Sequence, residues 1–201
     1  IIANAWEYYN FYVAANTLTI YGNVSKFNCS NNDSNIIGLD ASHNTSLEEL
    51  HCDNNSLTTL NVSGCTSLEE LFCGYNNLTT LNVSSCTALT HLSCDINNLS
   101  TLNVSSCRAL SSLHCSNNRL SILDVSGCTS LGYLHCENNS LTTLDVSKCI
   151  TLKELRCYNN SFSTNGYDSL MCSLPINNSG NIAYFVPLNN SSDATAPAFM
   201  A

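Results

Sequence analysis

Basic residues are scarce in this sequence: six Lys and Arg stand against 15 Asp and Glu in 201 residues, and only 10% of the chain is charged. The resulting net charge of −9 repels phosphate backbones and anionic lipid surfaces, which argues against nucleic acid and membrane-surface partners. Long apolar runs are missing too. Tyr8 to Ser25 carries no charge, but Asn10, Asn16, Thr17 and Asn23 interrupt it, so no direct membrane insertion is expected. Neither a signal peptide, a lipidation motif nor an initiator Met stands at Ile1, as expected of a trimmed mature chain. Catalytic signatures are also lacking: there is no G-x-S-x-G elbow, H-E-x-x-H, P-loop or G-x-G-x-x-G. No C-x-x-C pair offers the usual spacing of a structural zinc site. The chain is therefore expected to be no enzyme and to carry neither a cofactor nor a metal.

Cysteine and asparagine are plentiful instead, with 13 and 30 copies against three Pro. A domain of this size buries a real core without staples, and an odd number of Cys cannot pair completely within one chain. Both residue types fall into columns. Cys29, Cys52, Cys73, Cys94, Cys115, Cys136 and Cys157 follow one interval of 23 and then five of 21; Cys65, Cys86, Cys107, Cys128 and Cys149 are each 21 apart, and Asn44 stands one step before them. Only Cys172 lies outside both columns.

Aligned on these columns, the repeat reads LEELHCDNNSLTTLNVSGCTS, then LEELFCGYNNLTTLNVSSCTA, then LTHLSCDINNLSTLNVSSCRA. Leu68, Leu71, Cys73, Asn76 and Leu78 meet the form L-x-x-L-x-L-x-x-N-x-L, with Cys in the third apolar place. The chain thus resembles the secreted bacterial leucine-rich-repeat proteins of the internalin-like class, and its LDVSxCTxLxxLxC variant resembles surface proteins of anaerobic gut-type bacteria. Each coil holds two half-units, since Leu81, Val83, Cys86 and Leu89 repeat the form of Leu71, Cys73, Asn76 and Leu78. Twenty-one residues with two extended segments leave no room for a helix on the back. The expected fold is a β-rich solenoid: a parallel front sheet, extended segments and turns behind, and little helix apart from a C-terminal cap. The units expected are an N-terminal cap over 1–23, repeats over 24–163, a C-terminal cap over 164–188 and a tail over 189–201.

Asn32, Asn55, Asn76, Asn97, Asn118, Asn139 and Asn160 form a further column. A side-chain amide carries donors and an acceptor, so stacked Asn residues can serve turn backbone groups of their own and neighbouring coils as a structural ladder. Both Cys columns read as packed free thiols. Same-column Cys residues should stand about 4.8 Å apart with parallel side chains, a Cβ separation beyond the usual disulfide range. A disulfide stack or a metal string is the competing reading.

The aromatics Trp6, Tyr8, Tyr9, Phe11, Tyr12 and Tyr21 precede the repeats and are expected to cap the open end, an aromatic ligand platform being the alternative. At the other end, Thr164 to Pro175 reads as a short helix stopped by proline and Asn181 to Leu188 as a strand, with Cys172 buried in the cap.

The outward positions of the front strands are where the repeat varies. Their middle row is Asn28, His51, Phe72, Ser93, His114, His135 and Arg156; the preceding row is Lys26, Glu49, Glu70, His91, Ser112, Tyr133 and Glu154; the following row is Ser30, Asp53, Gly74, Asp95, Ser116, Glu137 and Tyr158. Aromatic residues and Arg dominate interface hot spots, so His51, Phe72, His91, His114, Tyr133, His135, Glu137, Arg156 and Tyr158 are the candidate ligand-binding residues. The expected ligand is a protein or a glycan, with adhesion or host contact implied by the resemblance; a structural spacer within a larger surface protein is the alternative. His114 and His135 with Glu137 and Asp95 suggest a metal site only weakly. Cys–His dyads such as His114-Cys115 fail, because strand neighbours point to opposite faces. Many N-x-S/T sequons, such as Asn61-Val62-Ser63, would collect glycans in a eukaryotic secretory route; with the resemblance, this favours a bacterial extracellular or cell-surface location.

Overall fold

A computed structural model describes residues 16–32, 36–175 and the backbone of the strand 184–186. In chain order its elements are β1 (Thr17–Thr19), β2 (Lys26–Asn28), β3 (Gly38–Asp40), β4 (Glu49–His51), β5 (Thr59–Asn61), β6 (Glu70–Phe72), β7 (His91–Ser93), β8 (Ser112–His114), β9 (Tyr133–His135), β10 (Glu154–Arg156), α1 (Thr164–Ser173) and β11 (Tyr184–Val186). The front sheet is ordered β11-β10-β9-β8-β7-β6-β4-β2 and the back sheet β1-β3-β5. All pairs are parallel, and successive coils align residue for residue, Leu71 on Leu92 on Leu113 on Leu134 on Leu155. Beyond β5 the back thins to single bridges, Asn82 to Asn103 and Asn103 to Asp124. This is the leucine-rich-repeat solenoid expected from the columns. β1 lies inside the stretch read as an N-terminal cap, yet it pairs with β3 as a rung of the back sheet.

The period-2 triplets produce the core. In the coil of β6, Leu68, Leu71, Cys73, Leu78, Leu81, Val83 and Cys86 all turn inward and are buried, and the same columns are buried in the neighbouring coils, except that Leu60 is only partly buried. Each fully buried Leu contributes about 1.5–3 kcal/mol, and stacking coils makes one continuous apolar column from Ile20 to Leu170.

Turning the chain at the end of each front strand requires a left-handed residue. Asn31, Asn54, Tyr75, Ile96, Asn117, Asn138 and Asn159 all have φ between 51° and 56°, and each stands just before a ladder Asn. That kink aims the following amide inward. Asn76 Nδ2 donates to Cys52 O of the preceding coil at 3.0 Å and to Cys73 O of its own at 3.1 Å, while Asn76 Oδ1 accepts from Leu57 N at 2.9 Å. Asn97, Asn118, Asn139 and Asn160 repeat the pattern with the same spacing, and Asn55 donates in the same way to Cys29 O and Cys52 O.

On the back, Asn44 Nδ2 donates to Ile20 O at 3.0 Å. The thiols that follow it take over the same step: Cys65 Sγ donates to Ala41 O at 3.1 Å, Cys86 Sγ to Val62 O at 3.7 Å and Cys128 Sγ to Val104 O at 3.5 Å. All 13 Cys are free thiols. Before each back turn an Asx acceptor fixes the chain, whether Asn or Asp: Asn103 Oδ1 accepts from Ser105 N at 3.0 Å and Asp145 Oδ1 from Ser147 N at 2.8 Å.

Helix α1 starts at Ser163, whose hydroxyl accepts from Gly166 N at 3.2 Å, and stops one residue before Leu174, with Pro175 next. It buries Gly166 and Leu170 against the last coil. A side chain at Gly166 would press on Thr142 O at 2.8 Å, so only glycine permits this approach. Ser173 Oγ accepts from Val146 N at 3.2 Å. Cys172 is exposed, not buried as expected. At 100° per residue it stands some 200° round the helix from Leu170, on the face turned from the core. Trp6, Tyr8, Tyr9, Phe11 and Tyr12, and the tail over 189–201, lie outside the described residues; Tyr21 is exposed.

Candidate functional site

Strict pairing of the front strands places the middle-row side chains one above another. His51 and Phe72 meet as a tilted pair with centroids 4.7 Å apart and planes 30° apart; His114 and His135 stack at 4.3 Å and 12°. Their ring faces are therefore turned along the solenoid axis, toward neighbouring rungs. Ser93 separates the two pairs.

Beyond the second pair stands a charged group. Glu154 Oε1 accepts from Arg156 Nε at 2.7 Å and meets His135 Nε2 at 3.0 Å. Burial pushes the Glu154 carboxyl up, but the hydrogen bonds from Arg156 and His135 outweigh it and hold the group below the usual carboxylate range. Burial, and then the neighbouring His135, lower the His114 pKa below its ordinary 6.5, so that ring is neutral at pH 7. Ser112 Oγ lies 3.3 Å from His114 Nε2.

The preceding row is looser. Glu49 is ion-paired with Lys26 at the first front strand. His91 Nδ1 lies 3.0 Å from Thr90 Oγ1 and 4.0 Å from Glu70 Oε1. Tyr133 is 41% exposed, with Lys153 Nζ 5.9 Å from its ring centre. In the following row, Asp95 Oδ1 accepts from Ser93 Oγ at 2.5 Å and leans over Gly74, where a side chain would collide with it at 2.8 Å. Tyr158 is half-buried.

Glu137 departs from the sequence reading. It is only 8% exposed, and its Oε2 has no hydrogen-bond partner among the described residues. Its position at the strand end, just before left-handed Asn138, withdraws it between the rungs of Ser116 and Tyr158. Its charge is felt inward, where it adds to burial in raising the thiols of Cys115, Cys136 and Cys157. Of the candidate residues, then, His51 meets Phe72, and His114 meets His135, which joins Arg156 through Glu154; His91, Tyr133 and Tyr158 stand apart.

Face-to-face imidazoles direct their nitrogens side by side rather than toward one point, and among the described residues no group of three or more His, Cys, Asp or Glu is gathered as a metal would need. The thiolate is the reactive form of cysteine, and burial pushes Cys52, Cys115 and Cys136 far above the ordinary thiol value.

A second exposed feature escaped the sequence reading. Tyr75 and Ile96 occupy left-handed positions that the other coils give to Asn, and both side chains are exposed along a shallow groove with Asn31 and Asn54. The doublet Asn-Asn in the other coils is the signal: its first Asn makes the turn and its second the ladder.

No protein-family model matches the sequence, and no curated protein does. Among solved structures, the chain is similar to the functional domain of InlJ from Listeria monocytogenes, described as including a cysteine ladder, with 30% identity and a TM-score of 0.64 over 74% of this chain and 37% of that one. The internalin InlF from Listeria monocytogenes matches at 20% identity and a TM-score of 0.58, over 69% of this chain and 46% of its own. TLR13, solved in complex with ssRNA13, matches at 28% identity and a TM-score of 0.51, over 73% and 25% respectively. The chain thus spans less than half the length of each.

Proposed function

We propose that this internalin-like leucine-rich-repeat protein is a non-enzymatic recognition module, presented at a bacterial surface or secreted, that holds a protein or glycan ligand on its front sheet. One observation carries the reading. Ring and charged side chains are concentrated on the outward front rows, whereas the matching back positions are Thr, Ser, Asn and Asp with little variation apart from Gly38 and the exposed Ile122. An inert spacer needs no such asymmetry. The similarity to InlJ supports the same class, and the internalin-like form of the repeats is what points to the surface location. The RNA of the TLR13 complex does not transfer, because no Lys or Arg stands in the three front rows from β4 to β9, while Glu49, Asp53, Glu70 and Asp95 do. The remaining boundaries belong to this proposal: repeats over 24–163, closed by caps over 1–23, within which β1 is already a rung of the back sheet, and over 164–188, with a tail over 189–201. No helix among the described residues is long and apolar enough to cross a membrane.

The test is a glycan array and a surface-protein pull-down with the wild type and with Phe72, Tyr133 and Tyr158 changed together to Ala. The ligand captured by the wild type should be lost by the triple variant. Retention by the triple variant would overturn the front-sheet assignment, and capture of nothing from either source would favour the spacer.

A further inference from the structure

The ring row of the front sheet is interrupted at one rung. Phe72 meets His51 at a tilt and His114 stacks on His135 on their outer sides, and each has the same rung on its inner side. That rung carries Ser93, which pairs in register with both. Strands about 4.8 Å apart put Phe72 and His114 roughly 9–10 Å apart. A planar group seated between them would sit at the spacing the existing pairs already use, 4.3 and 4.7 Å. Serine is too short to fill that space, and its hydroxyl is turned to Asp95.

We propose that the gap over Ser93 is a slot for one arginine side chain of a protein partner, its guanidinium sandwiched between Phe72 and His114 and paired with Asp95. Three features select this occupant. The gap is one planar group thick, and the guanidinium is planar, weakly hydrated and stacks on rings. Asp95 lies at one end of the gap; Ser93 holds one of its carboxylate oxygens, and the other has no hydrogen-bond partner among the described residues. Gly74, by having no side chain, lets Asp95 lean across toward the Phe72 rung. Finally, the front rows from β4 to β9 carry Asp53 and Glu70 and no competing Lys or Arg. His114, held neutral by burial, adds no positive charge beside the guest. A lysine would fit the charge but not the slot.

This slot rests on the front-sheet reading above, and its test is separable from that reading. Ring carbons of His and Phe are labelled, and Gly-Arg-Gly amide or Gly-Lys-Gly amide is titrated at pH 7.5 while ring signals are followed by NMR. The arginine peptide should move the Phe72 and His114 signals saturably, binding about three-fold or more tightly than the lysine peptide. Ser93→Phe should fill the slot, abolish that preference and leave the fold intact; Asp95→Asn gives an independent loss should Ser93→Phe not fold. Equal response to both peptides, no saturable response, or an arginine preference untouched by the substitutions overturns the slot. A captured ligand that ignores Ser93→Phe and Asp95→Asn likewise overturns it while leaving front-sheet recognition standing. An arginine preference in a chain that captures no ligand upholds the slot and removes the wider reading.

Discussion

Asn44 and Cys65 stand on consecutive rungs of one column and make the same bond: Asn44 Nδ2 donates to Ile20 O at 3.0 Å and Cys65 Sγ to Ala41 O at 3.1 Å, each 24 residues back. The column is defined by the acceptor it serves, and an amide or a thiol can serve it. Cys107→Asn should therefore keep stability within about 1 kcal/mol, whereas Cys107→Leu, which removes the donor and overfills the turn, should cost about 1–3 kcal/mol. Urea melts of both variants check this, and an Asn variant that melts as early as the Leu one would remove the equivalence.

The front ladder is less forgiving. Asn97 joins Cys73 O, Cys94 O and Leu78 N, so Asn97→Ala leaves the buried Leu78 N without a partner and takes from Cys73 O and Cys94 O one of the two amide donors that each accepts, Asn76 and Asn118 keeping the other. The expected loss is about 1–3 kcal/mol, seen as a lower urea midpoint with an unchanged slope. A midpoint equal to wild type would mean that water replaces the amide.

Thiol reactivity should divide the cysteines sharply. Burial pushes Cys86 and Cys128 up to about 12 and Cys149 to about 11, while Cys172 is exposed. Titration with a thiol reagent at pH 8 should label Cys172 alone in the folded protein and all 13 in denaturant without reductant. Recovery of few thiols after unfolding would restore the disulfide stack.

A β-branched residue at positive φ is strained, and Ile96 has φ 51° with its side chain 36% exposed. Ile96→Asn should relieve this and raise stability by roughly 1 kcal/mol, measured as a higher melting temperature. Asn117→Ile, at the matching turn of the next coil, should lower it. If Ile96→Asn instead lowers stability, packing in the groove outweighs the backbone.

Acid should weaken the fold in two steps. The His114 pKa lies below its ordinary 6.5, chiefly through burial, so the fold prefers the neutral ring. That contribution is intact above about pH 6.5 and fades as the pH falls through the lower folded value. Hydrogen bonds from Ser42, Ser126 and Ser147 hold Asp40, Asp124 and Asp145 below the usual 3.8, so their small surface contributions persist above that value and are lost below it. Melting temperature against pH should show both steps, and His114→Gln should flatten only the upper one. A profile unchanged by His114→Gln would show that the stacked ring carries no pH-dependent stability.

The period of 21 made the fold legible, because in a parallel solenoid the spacing in sequence is the register in space: once Leu71 and Leu92 share a column, so must Phe72, Ser93 and His114. The inward amides and thiols were legible for the same reason. Three things were not. Cys172 lies in a helix whose buried face depends on how it docks, not on the repeat. Burial of Glu137 depends on the volumes of its neighbours on adjacent rungs. The left-handed turn could be inferred only from the Asn-Asn doublets, and Tyr75 and Ile96 break that pattern.

Every rung leans only on the next, since ladder amides and back thiols alike reach one coil away. At the level of the gene, an in-frame gain or loss of one 21-residue unit would leave each remaining junction identical and the interior unaware of the change. On the front, the same event would bring a different pair of side chains face to face, opening or closing a gap such as the one over Ser93. Recombination between repeats can therefore revise what the surface spells without asking the core to refold.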